Sequence, residues 1–399
     1  MVTSTIGVGT QAPQFPLDVR GGAYLSSIIT PVDQIAQGAY LAPSPANSSI
    51  ITAWIQKTVQ TNCASTIGVG PFWSSPATGS AFGTIAGAPG GAAYRGGVLV
   101  PDGRVVFVPR GAGAVGLFNP TTNTYTTVGS VPGGISYMGG VLVPDGRVMF
   151  APYNLSTIGL FNPATNTYTT AAALPNGNAG YQGCVVVPDG RVVLVPNNTS
   201  TIGIFNPPTN TFTTASGEAS GTAGYLGGVL LPDGRVVFVP LSTTKIGIFN
   251  PATNGYSTIT GASGYAGGVL LPDGRVVFVP SGATTIGLFN PATNTYSTVA
   301  GVTITDTYAG GVLLPDGRVI FVPYSNITST VGIFNPALSG AASFTTVSGA
   351  PGGYPYFGGV LLPDGRVVFV PEAATTIGLY LTNTPAPKEF CLHPCFNKM

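Results

Sequence analysis

From residue 94 to residue 380 the apolar positions come in short runs, each cut by Pro, Gly or Asn, and the runs recur. Gly-Gly-Val-Leu-Leu-Pro-Asp-Gly-Arg-Val-Val-Phe-Val-Pro stands identically at 227–240, 267–280 and 358–371. Close variants bring the Pro-Asp-Gly-Arg turn to seven copies, at Asp102, Asp145, Asp189, Asp233, Asp273, Asp316 and Asp364, spaced 43, 44, 44, 40, 43 and 48 residues apart. A second element follows each copy and is clearest at 285–299, Thr-Ile-Gly-Leu-Phe-Asn-Pro-Ala-Thr-Asn-Thr-Tyr-Ser-Thr-Val.

Each unit predicts four short strands. Gly-Gly-Val-Leu-Leu is the first. Pro-Asp-Gly turns the chain: Pro presets φ, Asp tolerates the bend and Gly takes the left-handed position. Arg-Val-Val-Phe-Val is the second strand, and Pro stops it. Thr-Ile-Gly-Leu-Phe is the third. After a loop of turn residues, the β-branched Thr-Tyr-Ser-Thr-Val is the fourth. In Val236-Val237-Phe238-Val239 nothing alternates with polar residues, so both faces of each sheet are covered. Four-stranded antiparallel sheets, repeated every 40–50 residues or so and covered on both faces, are blades of a β-propeller. A unit of this size is too small to hold a dry core alone.

The last unit keeps three strands, ending at Thr376-Ile-Gly-Leu-Tyr380, and then runs into Thr-Asn-Thr-Pro-Ala-Pro-Lys. Ser80-Ala-Phe-Gly-Thr-Ile85 aligns with the missing fourth strand and precedes the first unit. The expected fold is therefore all-β: a seven-bladed propeller of four-stranded antiparallel blades, with an N-terminal strand closing the last blade and leaving no bare edge. A partial copy at Ser65-Thr-Ile-Gly-Val69 keeps an incomplete eighth blade as an alternative. The expected domains are an N-terminal arm or attachment segment (1–64), the propeller (65–384) and a Cys-containing tail (385–399). Ile51, Trp54, Ile55 and Val59 at helical spacing, after the caps Asn47 or Ser48, predict one helix in the arm.

Composition narrows the chemistry. Only 7% of the 399 residues are charged and the net charge is +1, too little for nucleic acid or an anionic membrane. No apolar run reaches the roughly 18–20 residues that span a bilayer, and the start at Met1 shows no basic, then apolar, leader. Membrane insertion and nucleic-acid binding are not expected. Cys391, His393 and Cys395 give three ligands where zinc takes four, so no metal and no cofactor are expected; free thiols or a disulfide involving Cys63, Cys391 and Cys395 stay open.

The unit Leu-Pro-Asp-Gly-Arg-Val-Val-Phe-Val-Pro followed by Ile-Gly-Leu-Phe-Asn-Pro-Ala-Thr-Asn-Thr-Tyr resembles the kelch repeat over about residues 80–381. The kelch Gly pair after the second strand is here Val239-Pro240, the loop aspartate is Asn250 or Asn290, and the closing Trp is Tyr296. The resemblance implies a propeller that binds proteins or sugars. The copper-radical oxidase site of some relatives needs two His and a Tyr–Cys pair, and this chain has the single His393.

Seven of the ten Asp and seven of the ten Arg sit in the repeated turn, which reads as a structural device. Eight residues before each turn Asp stands a tyrosine: Tyr94, Tyr137, Tyr181, Tyr225, Tyr265, Tyr308 and Tyr356. Wedging between blades is one role for them, and a ligand-facing collar around one mouth of the ring is the other. The residue after each tyrosine varies, with Arg95 and Gln182 as polar candidates, and so do the loops that begin at Arg110, Tyr153, Asn197, Leu241, Ser281, Tyr324 and Glu372. Both sets are expected on one face, which makes it the binding face. Asp306 and Glu218 are isolated carboxylates, and sevenfold repetition offers no asymmetric acid–base site. The expectation is a non-enzymatic structural or adhesive propeller on a particle surface, such as a virus capsid or phage tail, in contact with other proteins of the assembly. A glycan-binding propeller and an intracellular scaffold are the alternatives.

Overall fold

The computed structural model describes residues 82–381, apart from 175–179, 218–223 and 326–328. The expected arm helix, the partial copy at 65–69, Glu218, Cys63 and the tail with Cys391, His393 and Cys395 lie outside the described residues. Twenty-eight strands, β1–β28, form seven four-stranded antiparallel sheets. Blade 1 runs β2 (Tyr94–Leu99), β3 (Val105–Pro109), β4 (Val115–Asn119) and β5 (Thr124–Val128). Blades 2–6 repeat this order as β6–β25, over residues 137–350.

Blade 7 holds β26 (Tyr356–Leu361), β27 (Val367–Pro371) and β28 (Thr376–Tyr380), and its fourth strand is β1 (Phe82–Ala86) from the front of the chain. Phe82 pairs with Tyr380 and Ala86 with Thr376. The closing strand deduced from Ser80–Ile85 is thus found in place. The one long interval, 48 residues before Asp364, contains a short 3-10 turn at Gly340–Ser343 ahead of the outer strand of blade 6.

The core explains why the inner strands are apolar on both sides. Successive residues of a strand point to opposite faces, and each face of β3 belongs to a different core. Val106 and Val108 pack with Tyr137, Leu142 and Phe150 of blade 2, whereas Val105 and Phe107 pack with Val360, Val368 and Val370 of blade 7. Seven such cores lie between seven blades, and the one joining blade 7 to blade 1 completes the circle. Each buried Val or Phe contributes about 1.5–3 kcal/mol, and the part of it made against the neighbouring blade is not available to a blade alone.

Two glycine sets make this packing possible. All seven first strands bulge just after their tyrosine. The first glycine of each pair takes φ of +82° to +107° there. A Cβ on Gly96 would meet the Cα of Gly139, one on Gly139 that of Gly183, and so on through Gly227, Gly267, Gly310 and Gly358 back to Gly96, at 2.8–3.6 Å. The axis is therefore ringed by bare backbone in mutual contact. The glycine of each third strand makes room for the tyrosine: a Cβ on Gly116 would lie 2.9 Å from Cζ of Tyr94, and one on Gly378 2.9 Å from Cζ of Tyr356.

Five of the seven Pro-Asp-Gly-Arg turns form an inter-blade latch on one face. Arg104 pairs with Asp102 in its own turn and donates to the Pro163 carbonyl (2.7 Å) and Asn166 Oδ1 (2.9 Å) of blade 2. Arg147, Arg191 and Arg235 reach the Pro207, Pro251 and Pro291 carbonyls in the same way. Arg366 of blade 7 closes the series on Pro120 and Asn123 of blade 1. No helix among the described residues is long and apolar enough to cross a membrane.

Candidate functional site at the mouth of the ring

The face opposite the latch carries the starts of the first strands and the ends of the second strands, since Tyr94 pairs with Pro109 and Tyr356 with Pro371. The seven tyrosines are here, but not as a collar. Tyr94, Tyr137, Tyr181, Tyr225, Tyr265, Tyr308 and Tyr356 are all buried. Where the outer strand offers a tyrosine, two phenols pair, as in Tyr137–Tyr168 (2.6 Å) and Tyr265–Tyr296 (2.7 Å). Where it offers Phe212, Phe344 or Phe82, the hydroxyl turns to Thr201, Thr330 or Thr376. Burial pushes the Tyr181 and Tyr356 phenols up, and Tyr308 up to about 12. The ligand-facing role is corrected for these seven residues: their rings fill space between strands, and their hydroxyls are satisfied inside the protein.

The residues beside the tyrosines do meet at the mouth. Arg95 follows Tyr94, Phe357 follows Tyr356, Met138 follows Tyr137 and Gln182 follows Tyr181. Arg95 donates from Nε (2.9 Å) to Oε1 of Glu372, which opens the loop after β27, and forms an ion pair with the same oxygen through Nη2 (2.8 Å). Its Nη2 also donates to the Tyr324 hydroxyl (3.2 Å), and its guanidinium lies 4.3 Å from the centre of the Phe357 ring. Arg95 Nη1 and Gln182 Nε2 both reach the Met138 sulfur. Arg110, first residue of the loop after β3, forms an ion pair through Nη1 with the same Glu372 oxygen (3.1 Å). Tyr324 packs edge-on against Phe357 and beside Tyr354.

This cluster breaks the sevenfold symmetry. Outside the seven turns, the charged residues among those described are Arg95, Arg110, Lys245, Asp306 and Glu372, and three of the five converge here. Across the ring the corresponding positions carry Leu226, Ala266, Ala309, Leu241 and Ser281. Glu372 is only 3% exposed, and one carboxylate faces two guanidiniums. Burial, and then the Arg95 charge, push the Arg110 guanidinium down. Burial and the nearby Glu372 charge push the Tyr324 phenol up. The Glu372 Oε2 and Arg110 Nε atoms are buried with no hydrogen-bond partner among the described residues. Asp306, the other carboxylate picked out from the sequence and described, accepts a hydrogen bond from the Thr330 hydroxyl instead.

Arg95 and Gln182 were singled out by position; Arg110 and Glu372 were seen only as loop residues. The signal that marks them is that they are the two charged residues, of opposite sign, in a repeat column that the other five blades leave uncharged. Cys184, which replaces the second glycine of its pair, is a free thiol pushed up to about 12 by burial. Among the described residues no group of three His, Cys, Asp or Glu could hold a metal ion.

No family model matches the chain, and no curated protein does. Solved structures share the fold. A streptogramin B lyase superposes with a TM-score of 0.65 at 16% identity, over 75% of this chain and 96% of that one. A catalytically inactive variant of virginiamycin B lyase from Staphylococcus aureus, with quinupristin, gives 0.65 at 17% over 75% and 99%. Kuenenia stuttgartiensis hydrazine synthase gives 0.59 at 13% over 75% and 98%. These likenesses establish a β-propeller; they do not establish the kelch family. They also correct the exclusion of catalysis. Lyases are built on this fold, so repetition and a scarcity of acids and bases do not mark the chain as a non-enzyme.

Proposed function

We propose that the protein is a binding propeller whose partner, another protein, docks over the mouth of the ring. The observation that carries this is the asymmetric cluster of Arg95, Arg110, Glu372 and Tyr324, which stands out from the repetitive blades among the described residues. The surface around it supports the same reading. Large apolar side chains are exposed at three places among the described residues: Ile135, Tyr354 and Leu338. Ile135 and Tyr354 lie in the connections entering blades 2 and 7, on the face of the cluster, and aromatic and Arg residues gathered near the centre of a patch are what protein partners use. The charge-poor, Gly-rich body fits an adhesive component of a particle surface, such as a capsid or tail.

Photo-crosslinking in the material that makes the protein tests the docking face. A benzophenone side chain at Ile135 or Tyr354 should give a discrete protein adduct, whereas one at Leu338 on the latch face should give none. Equal labelling from both faces, or no adduct from any position, counts against it. Co-sedimentation with a purified particle checks the setting.

A further inference from the structure

We infer that Arg110 is the anchor of a carboxylate-binding subsite within that docking face, an inference that rests on the proposal above and names the chemistry it would recognise. An arginine offers a carboxylate two parallel N–H donors along its Nε–Nη2 edge. Arg95 commits that edge to Glu372. Arg110 does not: it pairs with Glu372 through Nη1, and its Nε is buried with no hydrogen-bond partner among the described residues. A buried donor left unsatisfied is destabilising and calls for a completing group.

The charge balance points to the sign of that group. Glu372 neutralises one of the two guanidiniums, and the remaining positive charge is fixed in a half-buried site where an anion is worth more than in water. Glu372 also positions both arginines, so Arg110 cannot swing away to solvent without leaving a buried carboxylate short of a donor. The neighbouring aromatic wall of Tyr324, Tyr354 and Phe357 suits an apolar or aromatic residue beside the acid. The matching ligand is a carboxylate next to an aromatic side chain, presented either as a chain terminus or as an Asp or Glu.

Three peptides separate these sources: Ac-Gly-Phe-Gly with a free C-terminus, Ac-Gly-Phe-Asp-Gly-amide, and the neutral Ac-Gly-Phe-Gly-amide. Titration calorimetry on the full chain should show one or both acidic peptides binding about tenfold or more tightly than the neutral one. R110K, which keeps the charge and loses the fork, and R110Q should each lose that preference, while R104Q on the latch face should keep it. Equal binding of all three peptides, no binding up to millimolar concentration, or an unchanged preference in folded R110K overturns the inference. The comparison of acid with amide on the unaltered protein decides even if a variant fails to fold. Adducts at Ile135 and Tyr354 without acid selectivity sink the subsite and leave the docking face standing; selectivity without adducts does the reverse.

Discussion

At the scale of single residues, the protein sets two kinds of charge against each other. The turn pairs are half-exposed and repeated, whereas Glu372 is buried and unique. Removing one member of a buried ion pair leaves the other uncompensated, which typically costs about 3–5 kcal/mol. Glu372→Ala should therefore lower the urea-unfolding free energy by about that amount, while Asp102→Ala should change it by about 1 kcal/mol or less. Steric fit gives a second expectation. Gly116→Ala places a Cβ 2.9 Å from the Tyr94 ring and 3.1 Å from the Phe107 Cβ. Neither neighbour can retreat, so overpacking should cost about 1–3 kcal/mol in the same assay.

At the scale of strands and turns, acid should loosen the latch. Burial alone would raise the carboxyls of Asp145, Asp189, Asp233, Asp273 and Asp316, but hydrogen bonds from Arg147, Arg191, Arg235, Arg275 and Arg318 outweigh it and hold them below the usual carboxylate range. A depressed carboxyl stabilises the fold above its unfolded value of about 3.9 and ceases to do so as pH falls through the folded value. Melting temperature should be flat from about pH 7 to 5 and fall steeply below about pH 4. High salt should weaken the half-exposed pairs further. The strands themselves were legible because each was written seven times: the Pro-Asp-Gly turn, the Pro stop and the doubly apolar second strand agree in every copy. The closing strand was legible because Phe82 stands where the other blades carry Tyr125 or Tyr168. What spacing could not show was the direction of the tyrosine rings. That depends on the third-strand glycine opposite each ring, a contact between strands that are not sequence neighbours.

At the scale of the whole molecule, the site and the closure of the ring are one feature. Arg95 and Glu372 are 277 positions apart and meet only where blade 7 joins blade 1. No local motif could announce that pair, which is why the sequence pointed to the face but not to the cluster. Deleting residues 82–86 should expose the edge of β28, lower the melting temperature sharply and produce concentration-dependent association, all visible by scanning calorimetry with light scattering. A mild effect on melting alone would mean that blade 7 stands without its borrowed strand.

The bare backbone around the axis has an evolutionary corollary. Arrays of near-identical modules commonly gain or lose a module by unequal recombination, since each touches only its neighbours. Here Gly96, Gly139, Gly183, Gly227, Gly267, Gly310 and Gly358 touch in a closed necklace, and an eighth bead would part every link at once. Copy number is thus set by the geometry of the hub. A gene carrying one duplicated module should yield a chain that sheds it to proteolysis or pairs with another molecule, not a wider monomeric wheel, and limited digestion with mass spectrometry would show which.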